Sequence, residues 1–222
     1  MIYLFCNEGY GAPFLEAALK YAAGGGRLTV VYSAKARGPK GLRGCASRLK
    51  SLVVRFMAQR KLARRLGTRV LLVRNINSWW FHRRIAPNDH GIVAGFNQIF
   101  KPSTIGRFRS LVNFHPSLLP FYRGPVPSFW VIRNGEEWTG YTLHRITPVI
   151  DRGEALYQES IAVDGAVEPT VLDERIAARA ASTLCRYLEH LQTGEEWKRE
   201  ELDASRLYRT RVDYASFPAM DR

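Results

Sequence analysis

Met1-Ile-Tyr-Leu-Phe-Cys6, Asn7-Glu8-Gly9-Tyr10-Gly11 and Ala12-Pro13-Phe-Leu-Glu-Ala-Ala-Leu-Lys20 follow one another at the start of the chain. A short apolar run, a glycine turn and an apolar stretch with proline near its start spell a buried strand, a sharp bend and a helix. A parallel α/β sheet opens in this order. Tyr10 and Gly11 lie at the bend, where Gly9-x-Gly11 either draws backbone close to a phosphate or simply makes the turn. Both residues are substrate candidates.

Working outward, Gly24-Gly-Gly26 ends the helix, and strands follow at Leu28 to Tyr32, Arg69 to Val73 and Gly91 to Gly95. Ser33 to Gly44 is a loop rich in Gly, Lys and Arg. Ser47 to Leu66 carries apolar residues at helical spacing with a basic outer face, stopped by Gly67. Asn75-Ile-Asn77-Ser78 comes after the third strand, where α/β sheets collect ligands outside their carboxyl ends. A turn or helix cap suits Asn and Ser equally well. Pro125 to Gly135 reads as a short helix with a glycine stop, and Glu168 to Leu191 as a last helix closed by Gly194. The fold class is therefore α/β, Rossmann-like, with a mostly parallel central sheet flanked by helices and a short C-terminal appendage.

The 222 residues, 46% of them hydrophobic, suffice for one well-buried domain plus a small tail, placed at 1–193 and 194–222. Three scattered cysteines argue against a disulfide framework and a clustered zinc site. No apolar run reaches the roughly 18 residues needed to span a bilayer, and no basic lead-in precedes the first apolar run, so a soluble cytoplasmic protein without a membrane partner is expected. The net charge of +13 is uneven: between Glu16 and Asp89 there are 17 Lys and Arg and no acid. Such a field favours anionic partners, and a solvated basic face accounts for it equally well.

The densest chemistry lies in Asn113-Phe-His-Pro-Ser-Leu-Leu-Pro-Phe-Tyr-Arg-Gly124. If Leu111 to His115 is extended, Asn113 and His115 leave the same face of the strand. Pro116 pushes His115 towards the extended region. An amide can donate to a developing oxyanion while an imidazole moves a proton near neutral pH. Asp151, in a loop bounded by Pro148 and Gly153 after the strand-like Thr139 to Arg145, supplies a carboxylate that can turn back to the pair.

These segments resemble the folate-dependent formyltransferase family, through Asn113-x-His115, Ser117-Leu-Leu-Pro120, Arg123-Gly124, Gly140-Tyr-Thr-Leu-His144 and Asp151-Arg-Gly153. The resemblance implies transfer of a formyl group from N10-formyltetrahydrofolate as co-substrate, without a metal, with Asn113, His115 and Asp151 as the catalytic trio. It places Ala94, Gly95, Phe96, Asn97, Ile99, Leu119 and Ile150 at the folate, and Arg123 and Gly124 with the substrate candidates; a similar Asn-x-Asn-Ser in sugar-modifying members of the family adds Asn77 to them. His144 fits the family strand and stands outside the catalytic set. Leu-Pro-x-Tyr-Arg-Gly-x-x-Pro and Trp130-x-Ile-x-Asn-Gly-Glu136 most resemble sugar N-formyltransferases, which implies a nucleotide-linked amino sugar as acceptor and a place in lipopolysaccharide biosynthesis. Glycinamide ribotide and methionyl-tRNA remain alternative acceptors, and the sequence does not decide between monomer and homo-oligomer. A reading of another class, a basic nucleic-acid-binding protein on a formyltransferase scaffold, draws on the basic helix and Trp79-Trp80; the intact trio weighs against it.

Overall fold

The computed structural model describes residues 1–7, 9–34, 57, 61, 67–164, 168–194 and 197. The basic helix expected over Ser47 to Leu66 lies outside the described residues except for Met57 and Lys61, as do the loop beyond Ala34 and, except for Trp197, the tail after Gly194. The chain divides into two compact units, Met1–Leu111 and Val112–Arg222.

In the first unit, β1 (Ile2–Cys6), α1 (Ala12–Ala23), β2 (Leu28–Ser33), β3 (Arg69–Val73), α2 (Trp79–His82), β4 (His90–Ala94) and α3 (Pro102–Ile105) follow in order. The strands run β3-β2-β1-β4, and each neighbouring pair is parallel. All of β1 is buried, as a strand covered on both faces must be, and this is why its sequence is apolar without alternation. Phe5 is the centre of an aromatic cluster, with Phe81, Phe96, Phe100 and Phe108 at ring-centroid distances of 5.9, 5.4, 5.0 and 5.9 Å. Edge-to-face pairs of this kind add about 0.5–1.5 kcal/mol each beyond the burial of their area. At the bend after β1, the Gly11 N–H donates to Asn7 Oδ1 at 2.9 Å, and a Cβ at Gly11 would crowd Cys6 and the Asn7 backbone. Gly11 is thus required for the turn and for close packing onto β1.

The boundary between the units falls inside β5 (Ser110–His115). Then come α4 (Pro127–Arg133), β6 (Trp138–Arg145), β7 (Ala155–Ala162) and α5 (Pro169–Thr193). Both β5 with β6 and β6 with β7 pair antiparallel. Sequence reading found the strands of β5 and β6 but not β7, where Gln158-Glu159-Ser160 interrupts the apolar pattern. α5 buries Leu172, Ile176, Ala180, Leu184 and Leu188, an i, i+4 stripe along one face. Gly194, at φ 73°, ends it in the left-handed conformation that glycine adopts without steric cost. α4 is tied to α5 where Ser128 Oγ donates to Asp173 Oδ1 at 2.5 Å, and burial raises the Asp173 carboxyl above its usual range. Among the described residues no helix is long and apolar enough to cross a membrane.

Candidate active site

The pairing of β5 with β6 sets Asn113 opposite His144 and His115 opposite Thr142. With a side-chain period of two, all four side chains share one face of the two strands. Asn113 Nδ2 lies 3.0 Å from His144 Nε2. His144 Nδ1 lies 2.9 Å from the Arg145 carbonyl, which can only accept, so Nδ1 carries the proton and Nε2 is the bare nitrogen that accepts from Asn113. One N–H of the Asn113 amide is thereby fixed, and the other has no acceptor among the described residues. Burial lowers the pKa of His144, partly opposed by the Asp151 charge and the bond to Arg145, which keeps the ring in its accepting form.

His115 is held by a parallel arrangement. Its Nε2 donates to the Tyr122 carbonyl at 2.9 Å, and its Nδ1 faces Asp151 Oδ2 at 3.5 Å. The other Asp151 oxygen, Oδ1, is 3.5 Å from His144 Nε2. The acid is delivered by the bend between β6 and β7. Arg145 N–H donates to the Glu154 carbonyl at 2.9 Å, and Asp151 takes a left-handed φ of 50°, a conformation Asp tolerates better than most residues. Gly153 is needed there because a Cβ would run into the Arg145 carbonyl. The structure therefore brings together Asn113, His115 and Asp151, and adds His144 to them. Its place could have been read from the sequence, since Thr142 and His144 are two apart on a strand facing the first.

Arg123 and Gly124 hold the acid loop. Gly124 N–H donates to Asp151 Oδ2 at 2.8 Å, and Arg123 Nε donates to the Asp151 carbonyl at 3.1 Å. Leu119 is buried, with its N–H donating to Thr142 Oγ1 and its carbonyl accepting from Gln158 Nε2. Ile150, next to Asp151, is half exposed.

The remaining candidates belong to the first unit. Ala94 to Asn97 continue from the end of β4: Ala94 is buried, Gly95 has φ 70°, and Phe96 packs on Phe5. Asn97 Oδ1 is a buried acceptor without a hydrogen-bond partner among the described residues, and Ile99 exposes 65% of its surface. Tyr10 and Gly11 sit at the bend before α1. Asn77 uses its amide locally, donating to the Ile99 carbonyl at 2.9 Å and accepting from Lys101 N–H at 2.9 Å and Thr104 Oγ1 at 2.6 Å. A cavity of about 740 Å³ beside it is walled by Arg74, Asn75, Trp80, Arg84 and Lys101, among others, with no acidic residue among the described residues of its lining.

Comparison with known proteins gives the same family from several directions. The family model described as "Formyl transferase" matches residues 18–188. The chain is 36% identical over 115 residues to a methionyl-tRNA formyltransferase of Thermotoga maritima, covering 51% of this chain and 36% of that protein. It is 42% identical over 95 residues to a GDP-perosamine N-formyltransferase of Brucella melitensis, covering 40% of this chain and 37% of that one. The match thus spans a little over a third of the length of these curated relatives. Among solved structures, a glycinamide ribonucleotide transformylase from Symbiobacterium toebii superposes with a TM-score of 0.67 at 21% identity, covering 91% of this chain and 93% of its own. A sugar N-formyltransferase from Shewanella does so at 0.60 and 19% identity, covering 91% and 73%. With an α/β formyltransferase fold and a family match over most of its length, the chain belongs to the formyl transferase family.

Proposed function

We propose that this protein moves the formyl group of N10-formyltetrahydrofolate onto the primary amine of a nucleotide-linked amino sugar, with Asn113, His115 and Asp151 as the catalytic trio. The observation that carries the reading is the convergence of one amide, two imidazoles and one carboxylate on a single face of β5 and β6, with His144 held in its accepting form.

In this reading the amine attacks the formyl carbon, and the free N–H of Asn113 donates to the oxyanion that forms. His115 Nδ1, facing Asp151 across 3.5 Å, takes the proton lost by the attacking nitrogen and returns it to the departing N10. Acid and base are thus one group used twice, and Asp151 balances the imidazolium between the two steps. Bond formation at the acceptor nitrogen and cleavage at N10 then leave no net charge behind. For the folate, the first unit offers Asn97, a buried acceptor with no donor among the described residues, Ile99 as an exposed apolar surface, and Ala94, Gly95 and Phe96 beside them.

The acceptor is inferred from two features. The likeness to the GDP-perosamine enzyme runs at 42% identity, and the cavity of the first unit offers Arg74, Arg84 and Lys101 for phosphate and a Trp80 ring, 67% exposed, for a base. The likeness to the methionyl-tRNA enzyme, over a slightly longer stretch, supports a second reading in which another amine is formylated. Incubating the protein with N10-formyltetrahydrofolate and, in parallel, nucleotide-linked amino sugars, glycinamide ribotide and charged initiator tRNA decides between them. The expected result is a mass gain of one CO on an amino sugar; a gain only on the ribotide or the tRNA would replace the acceptor, and none at all would end the reading.

A further inference from the structure

Behind His115 lies a second set of contacts that the trio does not explain. Tyr122, whose carbonyl accepts from His115 Nε2, has a φ of 53°, a left-handed conformation that costs a bulky L-residue roughly 1–3 kcal/mol. Its phenol is clamped at the far end: Tyr122 Oη donates to Glu136 Oε1 at 2.5 Å and accepts from Asn134 Nδ2 at 3.0 Å. Glu136 is 4% exposed, and its own N–H is tied to the Val131 carbonyl at the end of α4. Ser117 Oγ braces the near side of the turn, donating to the Phe121 carbonyl at 2.7 Å. A buried carboxylate is costly unless satisfied, and among the described residues the side-chain partner of this one is the Tyr122 hydroxyl.

We propose that Tyr122 and Glu136 are positioning residues for His115. The clamp holds the Tyr122 carbonyl where it fixes the Nε2–H tautomer, so Nδ1 is the nitrogen presented to Asp151 and to substrate. The consequence is specific to one atom. Were the carbonyl to swing away, the ring would lose the acceptor that selects its tautomer, and Nδ1 could carry the proton in the neutral ring and cease to be a base. The Asn134-x-Glu136 pair is thus linked through one side chain to a catalytic imidazole. The inference rests on the catalytic reading of His115, but its structural half can be tested without any turnover.

Tyr122→Phe removes the hydroxyl alone. In protein carrying ¹⁵N-labelled histidine, nitrogen shifts recorded above the titration range should report a protonated Nε2 on His115 in the wild type and a mixture of tautomers in the variant. In the formyl transfer assay kcat should fall by roughly ten- to a hundredfold with both KM values nearly unchanged, as for a group displaced but still present. Glu136→Gln, which keeps an oxygen acceptor for the phenol, should retain the Nε2–H tautomer and most of kcat. Asn134→Ala, which loosens the phenol without unpairing a buried charge, should shift the tautomer in the same direction by less, and it carries the test if Tyr122→Phe does not fold. A His115 that keeps its Nε2–H tautomer in Tyr122→Phe, or in Asn134→Ala should the first not fold, overturns the proposal. Should the wild type transfer no formyl group, the catalytic reading fails, and the nitrogen shifts still decide whether the clamp governs the ring.

Discussion

Two histidines face one carboxylate, and the bonds each makes elsewhere give them different work. His144 donates from Nδ1 to the Arg145 carbonyl and is buried, so it stays neutral and accepts from Asn113; His115 donates from Nε2 and leaves Nδ1 towards Asp151. Replacing His115 or Asp151 by Ala should lower turnover by orders of magnitude in steady-state assays, with thermal unfolding close to wild type, because the strand and the loop are held by other bonds. For His144 the sign of the pH effect follows from burial. The folded chain resists a proton that the unfolded chain accepts below the ordinary value of 6.5, so its contribution to stability is complete above that value and is lost as pH falls from there through the lower value of the folded chain. Thermal melts between pH 8 and pH 5 should therefore drop on the acid side, and the drop should shrink in His144→Gln. Activity should hold below 6.5 and fall only at the lower pH at which the folded chain itself takes up the proton, since a protonated Nε2 can no longer accept from Asn113.

At the scale of elements, the bend between β6 and β7 is the part on which the site depends most. Arg145 and Glu154 close it by a backbone hydrogen bond, Gly153 lets the chain pass the Arg145 carbonyl, and Arg123 with Gly124 hold Asp151 from outside. Gly153→Ala should open the bend, lowering stability by about 1–3 kcal/mol in urea unfolding and reducing turnover further than that loss explains, because the acid moves with the loop. α5 stabilises this unit by packing. Leu184→Ala, a truncation at a fully buried position, should cost about 2–5 kcal/mol in the same measurement while leaving kcat of the folded fraction intact.

For the molecule as a whole, the charge of +13 and the Arg74, Arg84 and Lys101 side chains at the cavity of the first unit favour anionic ligands, and the screening of such a field by salt provides a check. The proposed acceptor, a nucleotide-linked amino sugar, should raise the melting temperature with the logarithm of its excess over Kd, about 2.7 kcal/mol of stabilisation at a hundredfold excess. Calorimetry should find this effect weaker at high salt and weaker again in Lys101→Glu. A melting temperature indifferent to the ligand at every salt concentration would remove the cavity from the acceptor assignment.

The sequence by itself determined the strands of the first unit, the helix ends at Pro13 and Gly194, and the candidacy of Asn113, His115 and Asp151. Each of these is written in neighbouring residues: an uninterrupted apolar run, a proline or glycine at a helix end, two polar side chains one strand period apart. Tertiary structure alone decided which nitrogen of each histidine is bare, that Arg123 and Gly124 grip the acid, and that Tyr122 reaches Glu136. Those outcomes depend on strand register, which brings Asn113 to His144 across 31 positions of sequence, and on backbone carbonyls, that of Tyr122 seven positions from His115 and that of Arg145 next to His144. A carbonyl is the same in every residue, so its role as the acceptor that fixes a tautomer leaves no mark on the order of side chains.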